Sequence, residues 1–357
     1  MRSPFLSLIS LSIAASALCA TVAASAQNSE SPIALWALQL GGGVPGLATE
    51  IDSLCSLLDP LTTPDDLLCH RSARAAGRFD RMQELRVNAA AAVVIDQREW
   101  QPLYMKEAGA VRPIASITKL MTAMVVLDSG SPLEELIRVE RPDVDRLKGS
   151  SSRLRVGIRL NRKQLLQLAL MSSENRAAAA LARAYPGGTP AFVAAMNRKA
   201  RALGMNRTRF VDPTGLNPGN VSTAFDLATM ANAAFAYPAI RAATTAREQQ
   251  IALSRGRRVR MLTFHNSNTL VSSDDWHIGL SKTGYIREAG RCLVMQSVIG
   301  SKPVIIVLLD SVRKVTRAAD ANYIRVWLSE ERSSPTSAPA AIPLSVRSAD
   351  RSVERQQ

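Results

Sequence analysis

From Ala89 to Ile95 the chain is apolar without interruption, Asp96-Gln97-Arg98-Glu99 breaks the run, and Trp100 to Met105 resumes it. That spacing predicts a buried strand, a turn and a second strand. The rhythm then changes. Beyond Pro113, which disfavours helix before it, Ser116 opens a run of good helix formers through Leu127, and Asp128-Ser129-Gly130-Ser131-Pro132 stops it. Leu133 to about Ala202 reads as mostly helical, with Leu165, Leu168, Ala169, Leu170 and Met171 as an apolar segment, and Phe225 to Ala236 reads as a further helix. Strand character returns at Val259 to Phe264, Trp276 to Ile286, Cys292 to Ile299 and Pro303 to Leu309. The turns between the last three fall at Glu288-Ala289-Gly290 and Gly300-Ser301-Lys302. Ala318 to Trp327 predicts a closing helix with Ile324 and Trp327 on one face. Strands at both ends with helices between imply an α/β (α+β) fold, one mixed sheet carrying helices and an inserted helical region.

The ends follow other rules. Met1-Arg2, the apolar run Phe5 to Leu18, and Ala24-Ser25-Ala26 before Gln27 predict a signal peptide over 1–26 and a periplasmic, soluble product. Leu18 before Cys19 argues against a lipoprotein site. Residues 27–85 show no clear periodicity and are read as an extension, and 331–357, rich in Ser, Pro and Ala, as a disordered tail. Between them lies one expected domain, 86–330. Cleavage leaves Cys55, Cys69 and Cys292. Cys55 and Cys69, close together in a leucine-rich patch, are expected to pair in an oxidising compartment, and Cys292 to stay a buried thiol.

Charge narrows the partners. The formal net charge is +14, from 44 Lys and Arg against 30 Asp and Glu. Clusters occur over Arg71–Arg86, Arg146–Lys163, Arg198–Arg209 and Arg255–Arg260. With 4% aromatics and no zinc-finger or RNP pattern, nucleic acid is not the expected partner. An exported basic protein meets anionic membrane or sacculus polymers instead, bound peripherally and salt-sensitively.

Three short patterns carry candidate chemistry. Ser116-Ile117-Thr118-Lys119 places a hydroxyl near a helix start with an amine one turn on, an arrangement that could activate the serine if burial or a second cation lowers the lysine pKa. It reads equally as a capping serine beside a solvated lysine, and Ser311 with Lys314 repeats the spacing. Ser172-Ser173-Glu174-Asn175 looks first like a helix cap, or else like a Ser173 hydroxyl and Asn175 amide sharing a site. In Lys282-Thr283-Gly284-Tyr285, alternation sends Lys282 and Thr283 to opposite faces. Both serve one site only on an edge strand, where Gly284 lets a ligand backbone approach. The histidines, His70, His265 and His277, form no metal-binding spacing, no Cys-x-x-Cys occurs, and neither a metal nor a cofactor is expected.

Taken in order, Ser-x-x-Lys, Ser-x-Asn and Lys-Thr-Gly are the set found in penicillin-binding proteins and class A β-lactamases. The wider wording is more specific. Val111 to Ala123, Leu170 to Ala179, Tyr185-Pro186-Gly187-Gly188, Asp212-Pro213-Thr214-Gly215-Leu216 and Gly279 to Tyr285 resemble the D-alanyl-D-alanine endopeptidases, low-molecular-mass penicillin-binding proteins of the penicillin-binding protein 7 type. The resemblance runs from about Val87 to about Ser329. It implies a transpeptidase/β-lactamase-like fold, a five-stranded antiparallel sheet flanked by helices with a helical lobe and the site between. It also implies Ser116 as nucleophile, Lys119 as its base, Ser173 and Asn175 as the second motif, and Lys282 and Thr283 as the carboxylate holders. Gly284 and Tyr285 join the substrate-binding stretch, with the N–H groups of Ser116 and Tyr285 as oxyanion hole and Lys282 as the cation that lowers the pKa of Lys119. The implied activity is cleavage of D-alanyl cross-links in peptidoglycan through a Ser116 acyl-enzyme, with β-lactams as covalent inhibitors. A D-alanyl-D-alanine carboxypeptidase is the alternative. A β-lactamase is disfavoured because no Glu-x-x-x-Asn pattern follows Asn175, and an inactive envelope scaffold because every motif keeps its polar residues. The second β domain and amphipathic anchor of larger carboxypeptidases of this group are not expected after Ser329.

Overall fold

The computed structural model describes residues 85–255 and 258–330. The expected signal peptide, extension, Cys55–Cys69 pair and tail lie outside them. In chain order the elements are β1 (Ala91–Asp96), β2 (Gln101–Lys106), β3 (Arg112–Pro113), α1 (Thr118–Asp128), β4 (Leu136–Arg138) and β5 (Arg159–Asn161). There follow α2 (Arg162–Met171), α3 (Asn175–Arg183), α4 (Gly188–Ala202), β6 (Val221–Ser222), α5 (Ala224–Phe235) and α6 (Pro238–Thr245). The chain then runs through β7 (Glu248–Arg255), β8 (Arg258–His265), β9 (His277–Ile286), β10 (Gly290–Ile299), β11 (Lys302–Ser311) and α7 (Lys314–Glu330).

A five-stranded antiparallel sheet in the order β2-β1-β11-β10-β9 joins the two ends of the described chain. Every residue of β1 is buried, which is why its sequence is a continuous apolar run rather than an alternation. Alternation separates two cores. Val94, Leu293, Met295, Ile306 and Leu308 pack with Ile324 and Leu328 of α7. Val93, Ile95, Val294, Ile305 and Val307 share a second core with α1 and α5. Nine of the eleven residues of α1 are buried, so this helix is the axis of the helical lobe rather than an amphipathic cover. β9 forms one edge of the sheet, as the Lys282 pattern required.

Local signals explain the helix starts. Asn161 accepts from the Gln164 N–H while the Gln164 amide oxygen accepts from the Asn161 N–H, a reciprocal cap that begins α2. Thr223 accepts from the Asp226 N–H at the start of α5. The expectation of helix from Leu133 onward fails as far as Asn161. Only two three-residue strands, β4 and β5, and a short 3-10 turn occur there, and the rest is loop. The Asp145 carboxylate takes the N–H groups of Leu147, Lys148 and Ser150, so its own side chain competes successfully with helix. α6 and β7 were not anticipated; β7 pairs with β8 as a separate hairpin. Cys292 is fully buried, and burial pushes its thiol up to about 11, as a packing thiol requires. No helix among the described residues is long and apolar enough to cross a membrane.

Candidate active site

Ser116 lies in a 3-10 turn, Ala115–Ile117, that leads into α1, and the cap position of α1 is Ile117 with no side-chain bond. Ser116 is therefore not a capping serine. The turn is strained, because Ala115 holds φ +47°. Two glycines make room for it. A Cβ on Gly215, whose φ is +82°, would fall 1.9 Å from the Ala115 carbonyl oxygen, and one on Gly284 would sit 3.1 Å from the Ser116 nitrogen. Thr118 Oγ1 donates to the Ala115 carbonyl at 2.8 Å and accepts from the Asn220 amide at 2.9 Å, which holds the turn from behind.

One helical turn on, Lys119 is fully buried. Its Nζ lies 2.8 Å from Ser116 Oγ, 2.7 Å from Asn175 Oδ1 and 2.7 Å from the Thr214 carbonyl oxygen. Burial lowers its pKa to about 7, against the opposing pull of Asp212 and then Glu174. A neutral amine has two N–H donors and one lone pair. The two carbonyl oxygens can only accept, so they take both donors, and the lone pair is left facing the Ser116 hydroxyl. The arrangement can remove a proton from that serine near neutral pH.

Ser173 connects α2 to α3 with φ +61°, and the cap position of α3 is Glu174, again without a side-chain bond. The capping alternative for this motif is overturned as well. Lys282 Nζ donates to Ser173 Oγ at 3.0 Å and to the Thr283 carbonyl at 2.9 Å. Asn175 opens α3, its amide nitrogen donating to Ser150 Oγ at 3.0 Å while its oxygen serves Lys119. Lys282 is buried, and its pKa is pushed well below the usual lysine value by burial and then by the charge of Lys119. The expectation that Lys282 is needed to lower Lys119 is thus revised: burial alone dominates at Lys119, and the repulsion falls on Lys282. Thr283 Oγ1 donates to Ser267 Oγ at 2.8 Å. Tyr285 is exposed, with the Arg291 guanidinium 4.4 Å from its ring centre.

Sequence reasoning missed the supports. The Asp212 carboxylate takes the N–H groups of Thr214, Gly215 and Asn217 and the Thr214 hydroxyl, folding the loop that offers the Thr214 carbonyl to Lys119. The Asp-Pro-Thr-Gly wording was the visible signal, since Asp before Pro and Gly marks such turns. Ser150, Ser152 and Ser267 carried no signal. Ser152 donates to Glu174, so the loop before β5 is stitched to the second motif. Lys148 in that loop forms an ion pair with Glu288 in the β9–β10 turn, which joins the two walls of the site.

Residues 79–312 match the family of peptidases described as D-alanyl-D-alanine carboxypeptidase. The chain belongs to that family. Among D-alanyl-D-alanine carboxypeptidase relatives, the chain is 47% identical over 254 residues to the D-alanyl-D-alanine endopeptidase of Escherichia coli (strain K12), covering 71% of this chain and 81% of that one. It is 48% identical over 253 residues to the D-alanyl-D-alanine endopeptidase of Pseudomonas aeruginosa, covering 71% and 80%. The crystal structure of the Streptomyces K15 DD-transpeptidase superposes with a TM-score of 0.64 at 30% identity, over 68% of this chain and 97% of that one. The sheet with its flanking helices is accordingly the fold of the D-alanyl-D-alanine peptidases.

Proposed function

We propose that this protein is a serine endopeptidase that hydrolyses D-alanyl cross-links of peptidoglycan, with residues 86–330 as its peptidase domain. The observation that carries the mechanism is the Lys119 amine held between two carbonyl acceptors with Ser116 Oγ at 2.8 Å. Ser116 gives its proton to neutral Lys119 as its oxygen bonds to the D-alanyl carbonyl carbon. The oxyanion accepts from the backbone N–H groups of Ser116 and Tyr285, at the point where Gly284 closes on the serine turn. Collapse breaks the C–N bond, and the departing amine takes the proton from Lys119, with the Ser173 hydroxyl available as relay. Water then attacks the acyl-enzyme, giving a proton to neutral Lys119, which passes it to the Ser116 oxygen as the acyl C–O bond breaks. Lys282 and Thr283 hold the carboxylate beside the scissile bond, and Asn175 holds the substrate amide. β-Lactams acylate Ser116 by the same steps.

The protein acts in the periplasm, exported by its N-terminal segment and held near the sacculus or an anionic membrane by its basic charge. Incubation with purified sacculi, followed by separation of muropeptides, tests the reading. Dimers disappear with the wild type and persist with Ser116→Ala. Release of terminal D-alanine alone, with dimers intact, would make the protein a carboxypeptidase.

A further inference from the structure

The outer face of the β4–β5 pair carries charge that nothing else in the described chain answers. Arg138 and Arg159 stand directly opposite each other in the register, and Leu136 stands opposite Asn161. Alternation buries Ile137 and Leu160 and leaves Leu136, Arg138 and Arg159 outside, with Leu136 at 65% exposure. Like charges directly opposite on a strand pair repel. Neither guanidinium makes a hydrogen bond or ion pair among the described residues, and the exposed Arg155 in the loop before β5 makes none either. The nearby acids are spent elsewhere. Glu135 pairs with Arg162, Glu140 with Arg183 at 3.4 Å, and Glu134 accepts from the Asn161 amide at 2.6 Å.

A second exposed face adjoins this one. β7 packs beside β5. Arg153, in the loop before β5, donates to the Thr263 carbonyl of β8 at 2.6 Å, with its guanidinium 3.9 Å from the Phe264 ring centre. Ile251, Leu253 and Phe264 are buried on the inner side of the β7–β8 hairpin, whereas Val259 and Met261 stand outside at 65% and 57% exposure. Arg260 between them is exposed and makes no side-chain bond among the described residues. None of the exposed large apolar side chains on these four strands is an aromatic ring on which a sugar could stack. Exposed aliphatic chains among unpaired arginines suit an anionic lipid interface, where guanidiniums meet phosphate and apolar groups leave water. A glycan strand would give Leu136, Val259 and Met261 nothing apolar to cover them.

We propose that the outer faces of β4–β5 and β8 form one interfacial surface that seats on anionic phospholipid. Arg138 and Arg159 share a headgroup phosphate, and Leu136, Val259 and Met261 enter between headgroups. This rests on the peripheral attachment inferred above from net charge, and it names the surface and chooses the membrane over the sacculus. A phosphate between Arg138 and Arg159 turns their repulsion into two charge-assisted contacts. Arg155 and Arg260 add to the attraction without needing a fixed partner.

The test is co-sedimentation of the full chain with vesicles of phosphatidylglycerol and phosphatidylethanolamine, against vesicles of phosphatidylcholine alone. At about 0.1 M salt the wild type should bind the anionic vesicles and not the neutral ones. Arg138→Ala with Arg159→Ala should weaken that binding about 30-fold, the usual worth of two basic residues at an anionic surface. Arg198→Ala with Arg201→Ala removes the same charge from the exposed face of α4 and should weaken it less than about threefold, because net charge is all that this pair supplies. Leu136→Gln with Met261→Gln should weaken binding by the same factor at low and raised salt, since salt does not screen aliphatic burial. All three double variants should acylate with a fluorescent penicillin at the wild-type rate, which checks that they are folded. Equal losses in the two arginine pairs would overturn the surface and leave attachment to net charge. Wild-type binding to sacculi but not to anionic vesicles would overturn it too, and would make the sacculus the anchor. Binding to neither would end the peripheral reading and the surface with it.

Discussion

Lys119 shows how burial can turn a solubilising side chain into the base we propose. Its three neighbours would suit an ammonium ion, yet full burial outweighs them and Asp212 and Glu174 besides, leaving the pKa at about 7. Because the neutral amine is the active form, penicillin acylation should rise with pH through about 7. Lys119→Arg keeps the charge but cannot release the proton. Its acylation rate at neutral pH should fall by about 10²–10⁴-fold, the usual worth of a positioned base. A near-normal rate would end the Ser-Lys mechanism. Because burial and not Lys282 sets the Lys119 pKa, Lys282→Ala should slow acylation while leaving the ascending limb of the pH–rate curve near pH 7. The Ser116–Lys119 spacing could be read from the sequence because both groups belong to one helical turn. Thr214 could not, since it contributes a carbonyl oxygen that every residue owns, and Ser150 could not, since its contact with Asn175 spans 25 positions.

Among the elements, the serine turn depends on what lies beneath it more than on its own residues. Gly215 needs both a positive φ and empty space where a side chain would strike the Ala115 carbonyl. Gly215→Ala should therefore cost about 2–4 kcal/mol, combining backbone strain and overpacking. Its acylation rate should fall with it, because the displaced atom is the carbonyl next to Ser116. Thermal unfolding and penicillin labelling of one preparation check both, and a variant as stable and as active as the wild type would show that the turn has slack. β1, β10 and β11 were readable in the sequence because burial on both faces makes their centres continuous apolar runs. The 133–161 stretch was misread for the opposite reason. Its order comes from side chains such as Asp145 bonding their own backbone, which leaves no periodic trace.

For the molecule as a whole, the Lys148–Glu288 pair joins the helical lobe to the sheet at the site. Both side chains are partly exposed, at 27% and 39%, so solvent screens the pair and it contributes little to stability. Lys148→Ala should leave the thermal midpoint nearly unchanged. Its effect should instead appear as faster cleavage of intact sacculi relative to soluble penicillin acylation, since the bulky substrate has to enter between those walls. An unchanged ratio of the two rates would leave the pair no part in access. The buried lysines also tie stability to pH. The unfolded chain keeps the Lys119 proton up to the ordinary lysine value of 10.5, whereas the folded chain gives it up from about 7. Stability from this group is therefore lowest below pH 7 and grows as pH rises between those values. Between pH 7 and 9.5 the wild type should gain on the order of 3 kcal/mol over Lys119→Met, at about 1.4 kcal/mol per pKa unit. Denaturant midpoints at the two pH values measure it, and parallel shifts in both proteins would refute it.

Lys282 carries the last consequence. In the free protein its amine gives up its proton far more readily than an ordinary lysine, because burial and Lys119 both disfavour its charge. A substrate carboxylate arriving beside it restores the reason to be charged. The ligand then enters together with a proton drawn from solvent, and the site behaves as a small reservoir that fills on loading and empties on release. Binding heats of a D-alanyl-D-alanine peptide to Ser116→Ala should accordingly change with the ionisation enthalpy of the buffer. The slope of that plot counts the protons taken up, and a slope of zero at neutral pH would mean that Lys282 is already charged before the ligand arrives.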